Sequence, residues 1–224
     1  SIDYTVFYQN TAIVSFDEFR YFTGLTHIPS DNINNNYGLF YQCTALKHLI
    51  IPTSVTSIGR AAFAGCTSLT SIGDTSNVKT IAKAAFKGSG LEGTVNYPSL
   101  EGKLEDEAFM GTNIERVDNL GKVTTMPYTG YNKLGQFAGC KHLIFARLPS
   151  TLTAMGKNTF DSCELLATVI CEATTPTTIT NSTFNGCAAL TAIYVPDASV
   201  DAYKAAPNWS THASKIKPLS QYNG

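Results

Sequence analysis

Charged residues are scarce in this chain of 224 residues: Asp, Glu, Lys and Arg together make 15%, against roughly a quarter in an average globular protein. Tryptophan occurs once, and neither sign of charge dominates, with 16 basic residues, 17 acidic ones and a formal net charge of −1. Such a chain lacks the clustered Lys and Arg through which nucleic-acid binders release counterions, so no nucleic-acid partner is expected. No run reaches 18 apolar residues, which excludes a transmembrane helix. The opening Ser1-Ile2-Asp3-Tyr4 has neither the basic nor the apolar region of a signal peptide, so export requires that such a segment has been removed. C-x-x-C is absent, and with it the usual start of a tetrahedral zinc site. G-x-x-x-x-G-K-[ST], G-x-G-x-x-G and G-x-S-x-G are absent too, leaving nucleotide cofactors and serine-hydrolase chemistry without support. No cofactor or metal is expected, and no enzymatic activity.

What the chain does have is 43% hydrophobic residues, enough to bury a core as one domain. Its polarity comes largely from Thr, Ser and Asn, which suit exposed strand surfaces. Its six cysteines are spaced too regularly to be read first as a disulfide framework, and the spacing leads to a repeat. Phe40-Tyr-Gln-Cys43-Thr-Ala-Leu46 is followed by Phe63-Ala-Gly-Cys66-Thr-Ser-Leu69, and the pattern returns at Phe137-Cys140-Leu143, Phe160-Cys163-Leu166 and Phe184-Cys187-Leu190. Shortened copies run from Phe86 to Leu91 and from Phe109 to Ile114, and an early copy reads Phe19, Phe22, Leu25, with Phe22 where Cys is expected. Anchors at 19, 40, 63, 86, 109, 137, 160 and 184 give eight copies with a period near 23.

After each repeat Leu come two apolar positions closed by Pro, as in Leu46-Lys-His-Leu49-Ile-Ile51-Pro52, and then a second apolar pair such as Val55 and Ile58. Each unit therefore reads as a short strand, a turn at Pro, a second extended piece and a tight Gly-containing turn through the Phe. One unit cannot close a core alone, but stacked copies bury continuous Leu, Ile and Phe ladders at about 4.8 Å per coil, giving a strand face of roughly 35 to 40 Å. Insertions at Asn34-Asn-Asn-Tyr37 and Tyr128-Thr-Gly-Tyr131-Asn predict an exposed loop and a local bulge.

The full pattern, F-x-G-C-x-x-L-x-x-I-x-[IL]-P-x-[SV]-V-x-x-I-G-x-x-[AT]-F, resembles the BspA-like (Treponema pallidum type) leucine-rich repeats, found in surface proteins of gut Bacteroidetes. The resemblance spans residues 19 to 220. It implies a right-handed leucine-rich-repeat solenoid, mostly β, with a parallel strand face, and short turns or 3-10 segments opposite. The solenoid is expected over 1–195, with 1–18 as an N-terminal cap, and a capping segment with a short helix over 196–224. The family further implies a non-catalytic, secreted or cell-surface interaction module of adhesin type, binding a host extracellular or bacterial surface protein. Glycan binding and a structural spacer presenting another domain are the alternatives.

Five cysteines on one repeat position, replaced elsewhere by Ser89 and Thr112, read as buried free thiols, although the coil spacing leaves a bond such as Cys43 to Cys66 open by distance. Cys171 stands off this ladder. His27 and His48, each two residues after a repeat Leu, are expected as neighbours on the strand face, where two solvated polar residues are the economical reading and a metal or pH site lacks a third ligand. Glu101, Glu105, Asp106 and Glu107 read as a solvated convex turn, and Gly88-Ser-Gly90 as backbone geometry in the repeat turn. By strand alternation, the outward row is His27, His48, Ser71, Gly93, Arg116, Phe145, Thr168 and Ala192, with Lys47, Ile144, Ile50, Arg147 and Tyr194 beside it. The candidate ligand-binding residues are Lys47, His48, Arg116, Ile144, Phe145, Arg147 and Tyr194, centred on an exposed Ile144, Phe145 and Arg147 cluster. At the end of the chain, Asp197 or Ser199 is expected to cap a short helix, with Trp209 and Ile216 closing the last coil.

Overall fold

The computed structural model describes residues 2–3, 5–30, 37–127 and 135–224; most of the Asn34–Tyr37 loop and the Tyr128–Asn132 bulge lie outside them. The described chain is a parallel-strand β-solenoid. Its strands are Ser15–Phe16 (β1), His27–Ile28 (β2), His48–Leu49 (β3), Ser57–Ile58 (β4), Thr80–Ile81 (β5), Glu92–Asn96 (β6) and Glu101–Lys103 (β7). They continue as Asn113–Asn119 (β8), Lys122–Met126 (β9), Phe145–Leu148 (β10), Ala154–Met155 (β11), Thr168–Cys171 (β12), Ala192–Val195 (β13) and Ile216–Pro218 (β14), with one α-helix, Val200–Ala205 (α1). Among the described residues no helix is long and apolar enough to cross a membrane.

Each coil contributes one strand to each of two faces. The first face holds the strand after the repeat Leu: β1 pairs with β3, and β6, β8, β10, β12, β13 and β14 form a six-stranded parallel sheet in that order. The second face holds the Val-x-x-Ile segments, as β2-β4-β5 and β7-β9-β11. Pro at the corner suits the change of direction, because it fixes φ and offers no N–H.

The third edge of every coil is the turn through Phe. Phe7, Phe40, Phe63, Phe86, Phe109, Phe137, Phe160 and Phe184 stack face to face along the solenoid, with ring centroids 5.2 to 5.6 Å apart and planes within 14° of parallel. Two residues past each ring the backbone enters the left-handed region, at Gly65, Gly88, Gly111, Gly139 and Gly186, and at Gln9, Gln42 and Ser162 where the repeat lacks glycine. That conformation is why F-x-G recurs, since only glycine adopts it without a side-chain penalty.

The first coil is framed differently from the sequence expectation. Phe7, not Phe19, is the ladder rung: it stacks on Phe40 at 5.2 Å and 4°, whereas Phe19 meets the same ring edge-on at 90°. Asn10 then stands at the Cys position, and Phe22 lies off it, 43% exposed. The 3-10 turn Asp17–Tyr21 is inserted between the two faces of this coil, so residues 1–18 hold coil structure as well as an end.

The cysteine ladder has a polar role as well as a packing one. Cys43, Cys66, Cys140, Cys163 and Cys187 each donate S–H to the carbonyl of the Phe one coil earlier, at 2.8 to 3.1 Å. A thiol is small enough for the interior and still satisfies a carbonyl that a methyl group would leave unpaired. All six cysteines are free and buried. Burial pushes the thiols of Cys163 and Cys171 well up, that of Cys140 up to about 11 and that of Cys187 to about 12. Thiolate is the reactive form, so the native protein is expected to show no fast-reacting thiol toward Ellman's reagent at pH 8 and six after denaturation. Rapid native labelling of even one ladder cysteine would contradict this packing.

The acidic group is not the solvated turn its composition suggests. Asp106 and Glu107 are buried, and Glu107 accepts from Lys87 Nζ at 2.7 Å; Glu101 is exposed, 4.0 Å from Lys79. The end of the chain also departs in detail. Neither Asp197 nor Ser199 caps α1: Ser199 Oγ donates to the Thr174 carbonyl at 2.6 Å, and Asp197 Oδ1 accepts from the Ser220 N–H at 3.0 Å. Trp209 is fully buried against the last rung, Phe184, at 6.0 Å, and its Nε1 donates to Thr177 O at 2.6 Å. Ile216 lies on β14, in register with Ile193.

Candidate binding surface

The strands of the first face carry alternate side chains inward and outward. Val117, Ala146, Val169 and Ile193 point into the core, at most marginally exposed. Their outward neighbours form a registered row, Thr94, Arg116, Phe145, Thr168 and Ala192. Thr94 rather than Gly93 meets Arg116, because the register shifts between Gly93 and Thr94. A second outward row is Arg147, Ile170, Tyr194 and Lys217.

The two histidines are separated by the reframed first coil. His48 sits on the first face, level with Ser15 and Ser71. His27 sits on the second, level with Ser57. They are not neighbours, and a shared metal or pH site between them has no geometric basis. Among the described residues no three His, Cys, Asp or Glu side chains converge as metal ligands.

The structure brings Arg116, Phe145, Arg147 and Tyr194 together and leaves Lys47 and His48 apart, exposed at β3. The expected exposed cluster is corrected in one respect. Ile144 is 44% exposed, but Phe145 is only 4% exposed although its strand position points outward. Ala146 occupies the inward site, so Phe145 is covered rather than turned in. The Arg116 guanidinium lies over its ring, 4.1 Å from the centroid, a cation–π geometry. Tyr222 covers it from the other side at 6.0 Å and meets Tyr194 edge-on at 5.2 Å. Lys217 closes the line, 6.0 Å from the Tyr194 ring. Ile170, in the second outward row, is fully buried.

Both arginines are held by carboxylates. Arg116 pairs with Asp118 at 3.0 Å and Arg147 with Glu172 at 2.6 Å, all four side chains being 35 to 40% exposed. Partly exposed pairs of this kind are worth little by themselves, so each guanidinium is oriented at small cost and remains open to a ligand on its solvent side. Tyr222, Asp118 and Glu172 escape the sequence reading. Asp118 and Glu172 follow Arg116 and Arg147 along or across the strands and are readable once the register is known, whereas nothing in the repeat announces Tyr222.

Comparison with known proteins agrees with this architecture. The sequence matches the BspA type leucine rich repeat region in six copies, over residues 1–115 and 133–206. No curated protein matches it. Among solved structures, a leucine-rich repeat protein from Bacteroides ovatus ATCC 8483 is similar at 21% identity and a TM-score of 0.48, over 71% of this chain and 54% of that one. The chain thus spans about half the length of that protein. A leucine rich cell surface protein from Faecalibacterium prausnitzii A2-165 is similar at 16% identity and a TM-score of 0.31, over 92% of this chain and 86% of that one.

Proposed function

The chain belongs to the BspA type leucine-rich repeat family, and on that premise we propose that it is a non-catalytic, cell-surface or extracellular interaction module that binds a protein ligand through its first face. The observation that supports this reading most directly is the six-stranded parallel sheet with Arg116, Phe145, Arg147 and Tyr194 on its outward side. Core ladders hold that sheet in one shape, so binding costs little ordering entropy. Arginine and aromatic side chains dominate the energetics of protein interfaces, and Ile144 adds an exposed apolar contact beside them. A host extracellular protein or a bacterial surface protein is the expected partner.

The alternative of a glycan on this same face is less well supported, because its aromatic rings pack on one another instead of standing open. A spacer role follows if nothing binds. The test is interferometry of the purified chain against a panel of host extracellular and bacterial surface proteins. At least one is expected to bind, losing tenfold or more in affinity with Ile144→Ala combined with Arg147→Ala, and keeping it with Lys79→Ala on the second face. Undiminished binding by the double variant would remove the ligand from this face, and a panel without a binder would favour the spacer.

A further inference from the structure

The turn edge of the solenoid carries a second surface that owes nothing to the first face. Residues three before a ladder Phe and one after it stand in two rows along this edge. The first row is Tyr37, Arg60 and Lys83; the second is Tyr8, Tyr41, Ala64 and Lys87. Between them runs a groove bounded by Tyr41, Arg60, Lys83 and Lys87, closed by Glu107 at its far end. Its floor is Ala61, Ala64, Gly65, Ala84 and Gly88, residues too small to fill it.

Charge is concentrated here in a chain that is otherwise near neutral. Three cations against one carboxylate leave the lining at +2, whereas the whole chain stands at −1. Glu107 is already engaged by Lys87 at 2.7 Å. Among the described residues no carboxylate comes within ion-pair distance of Arg60. Successive ladder rings, Phe63 and Phe86, are 5.4 Å apart, so Arg60 and Lys83 repeat along the groove at the coil spacing.

The opposite end of the groove is aromatic. Tyr41 stacks on Tyr8 at 5.7 Å and 8°, and Tyr37 is tilted against both, at 4.7 and 4.9 Å. Three half-buried tyrosines thus make one rigid block with apolar faces and hydroxyl tips, the combination that lets tyrosine serve a ligand that is apolar on one side and polar on the other.

The backbone of this edge has nothing left to give to a peptide. Ala61, Phe63, Gly65 and Gly88 donate their N–H groups to Lys83, Ala85, Lys87 and Met110 of the next coil, at 2.7 to 3.0 Å. Strand addition therefore has no free donors, and recognition must come from side chains. Three cations also fall short of the extended basic track that a polyphosphate backbone demands. Cationic forks, phenolic hydroxyls and an aromatic block beside a shallow trough suit a sugar chain bearing carboxylate or sulfate groups. We propose that this groove binds an anionic oligosaccharide, its acidic groups on Arg60, Lys83 and Lys87 and a sugar ring against Tyr41.

Titration calorimetry at low salt with a galacturonate hexasaccharide, a sulfated heparin-derived hexasaccharide, neutral cellohexaose and hexaglutamate tests this. The carboxylated sugar, the sulfated sugar or both are expected to bind, and which of them binds tells the two sources of charge apart. Affinity is expected to fall at least tenfold in Arg60→Gln combined with Lys83→Gln and in Tyr41→Ala, and also on raising the salt, while Ile144→Ala with Arg147→Ala leaves it unchanged. Circular dichroism melting of each variant at the wild-type temperature keeps a loss of folding from being read as a loss of binding. Absence of binding by both acidic sugars, equal binding by the groove variants, equal binding of cellohexaose or equal binding of hexaglutamate would each overturn the proposal.

Discussion

Replacing Phe109 by alanine is expected to lower the free energy of unfolding by about 3–5 kcal/mol, the range for removing a large aromatic ring from a packed core. Phe109 is fully buried, stacked between Phe86 at 5.2 Å and Phe137 at 5.5 Å, with Tyr97 tilted against it at 5.9 Å. The gap cannot close, because backbone hydrogen bonds set the coil spacing on both sides: Phe86 N–H to Ala108 O and Phe109 N–H to Gln136 O, each 2.8 Å. A cavity that cannot collapse incurs the upper part of that range. Coils touch only their neighbours, so a weak joint in mid-chain is also expected to broaden the denaturant transition. Urea unfolding followed by circular dichroism reads both effects. Phe7→Ala provides the comparison, since that ring is half-buried and has a single ladder neighbour; it is expected to lose less than half as much. Equal losses would mean that ladder stacking is not what holds the coils.

Trp209→Ala is expected to cost a similar amount, about 3–5 kcal/mol, for a different reason. An open solenoid exposes its core at its ends, and capping elements must cover it. Trp209 does this at the C-terminal end: it lies on Phe184, meets Tyr203 edge-on at 5.1 Å, and donates Nε1–H to Thr177 O at 2.6 Å. Alanine removes the cover and also leaves that buried carbonyl without its donor, an additional penalty. Phe184 and Cys187, at 7% and 8% exposure, then face water. A fall in melting temperature of roughly 10 °C is expected for a chain of this length, together with new binding of a hydrophobic dye. A shift under about 2 °C would show that the rest of the end segment, from Tyr203 to Ile216, seals the coil without Trp209.

The repeat was legible in the sequence wherever the period was undisturbed. From Phe40 onward the ring, the thiol, the repeat Leu and the two strand segments fall where their spacing places them, because a residue and its counterpart one coil away stack directly. Legibility failed at the first coil. Phe19 lies 21 residues before Phe40 and Phe7 lies 33 before it, so the shorter step looks closer to the period. Only the pairing of Ser15 with His48 and of His27 with Ser57 reveals that Asp17–Tyr21 is an insertion. The same slip moved His27 to the wrong face and hid Tyr8 from the row it shares with Tyr41.

By itself, then, the sequence determined the period, the family, the identity of the core ladders and the parallel stacking, all of which depend on contacts between like positions in adjacent coils. The tertiary structure alone decided the state of the surface. Phe145 has an outward strand position in any frame, yet it is buried because Tyr222, 77 residues later, returns across the sheet. Asp106 and Glu107 have an exposed composition, yet the turn edge takes them inside beside Lys87. Periodicity carries information about neighbours at one coil's distance; a chain end folding back, or charges gathered from three successive turns, are contacts that no period encodes.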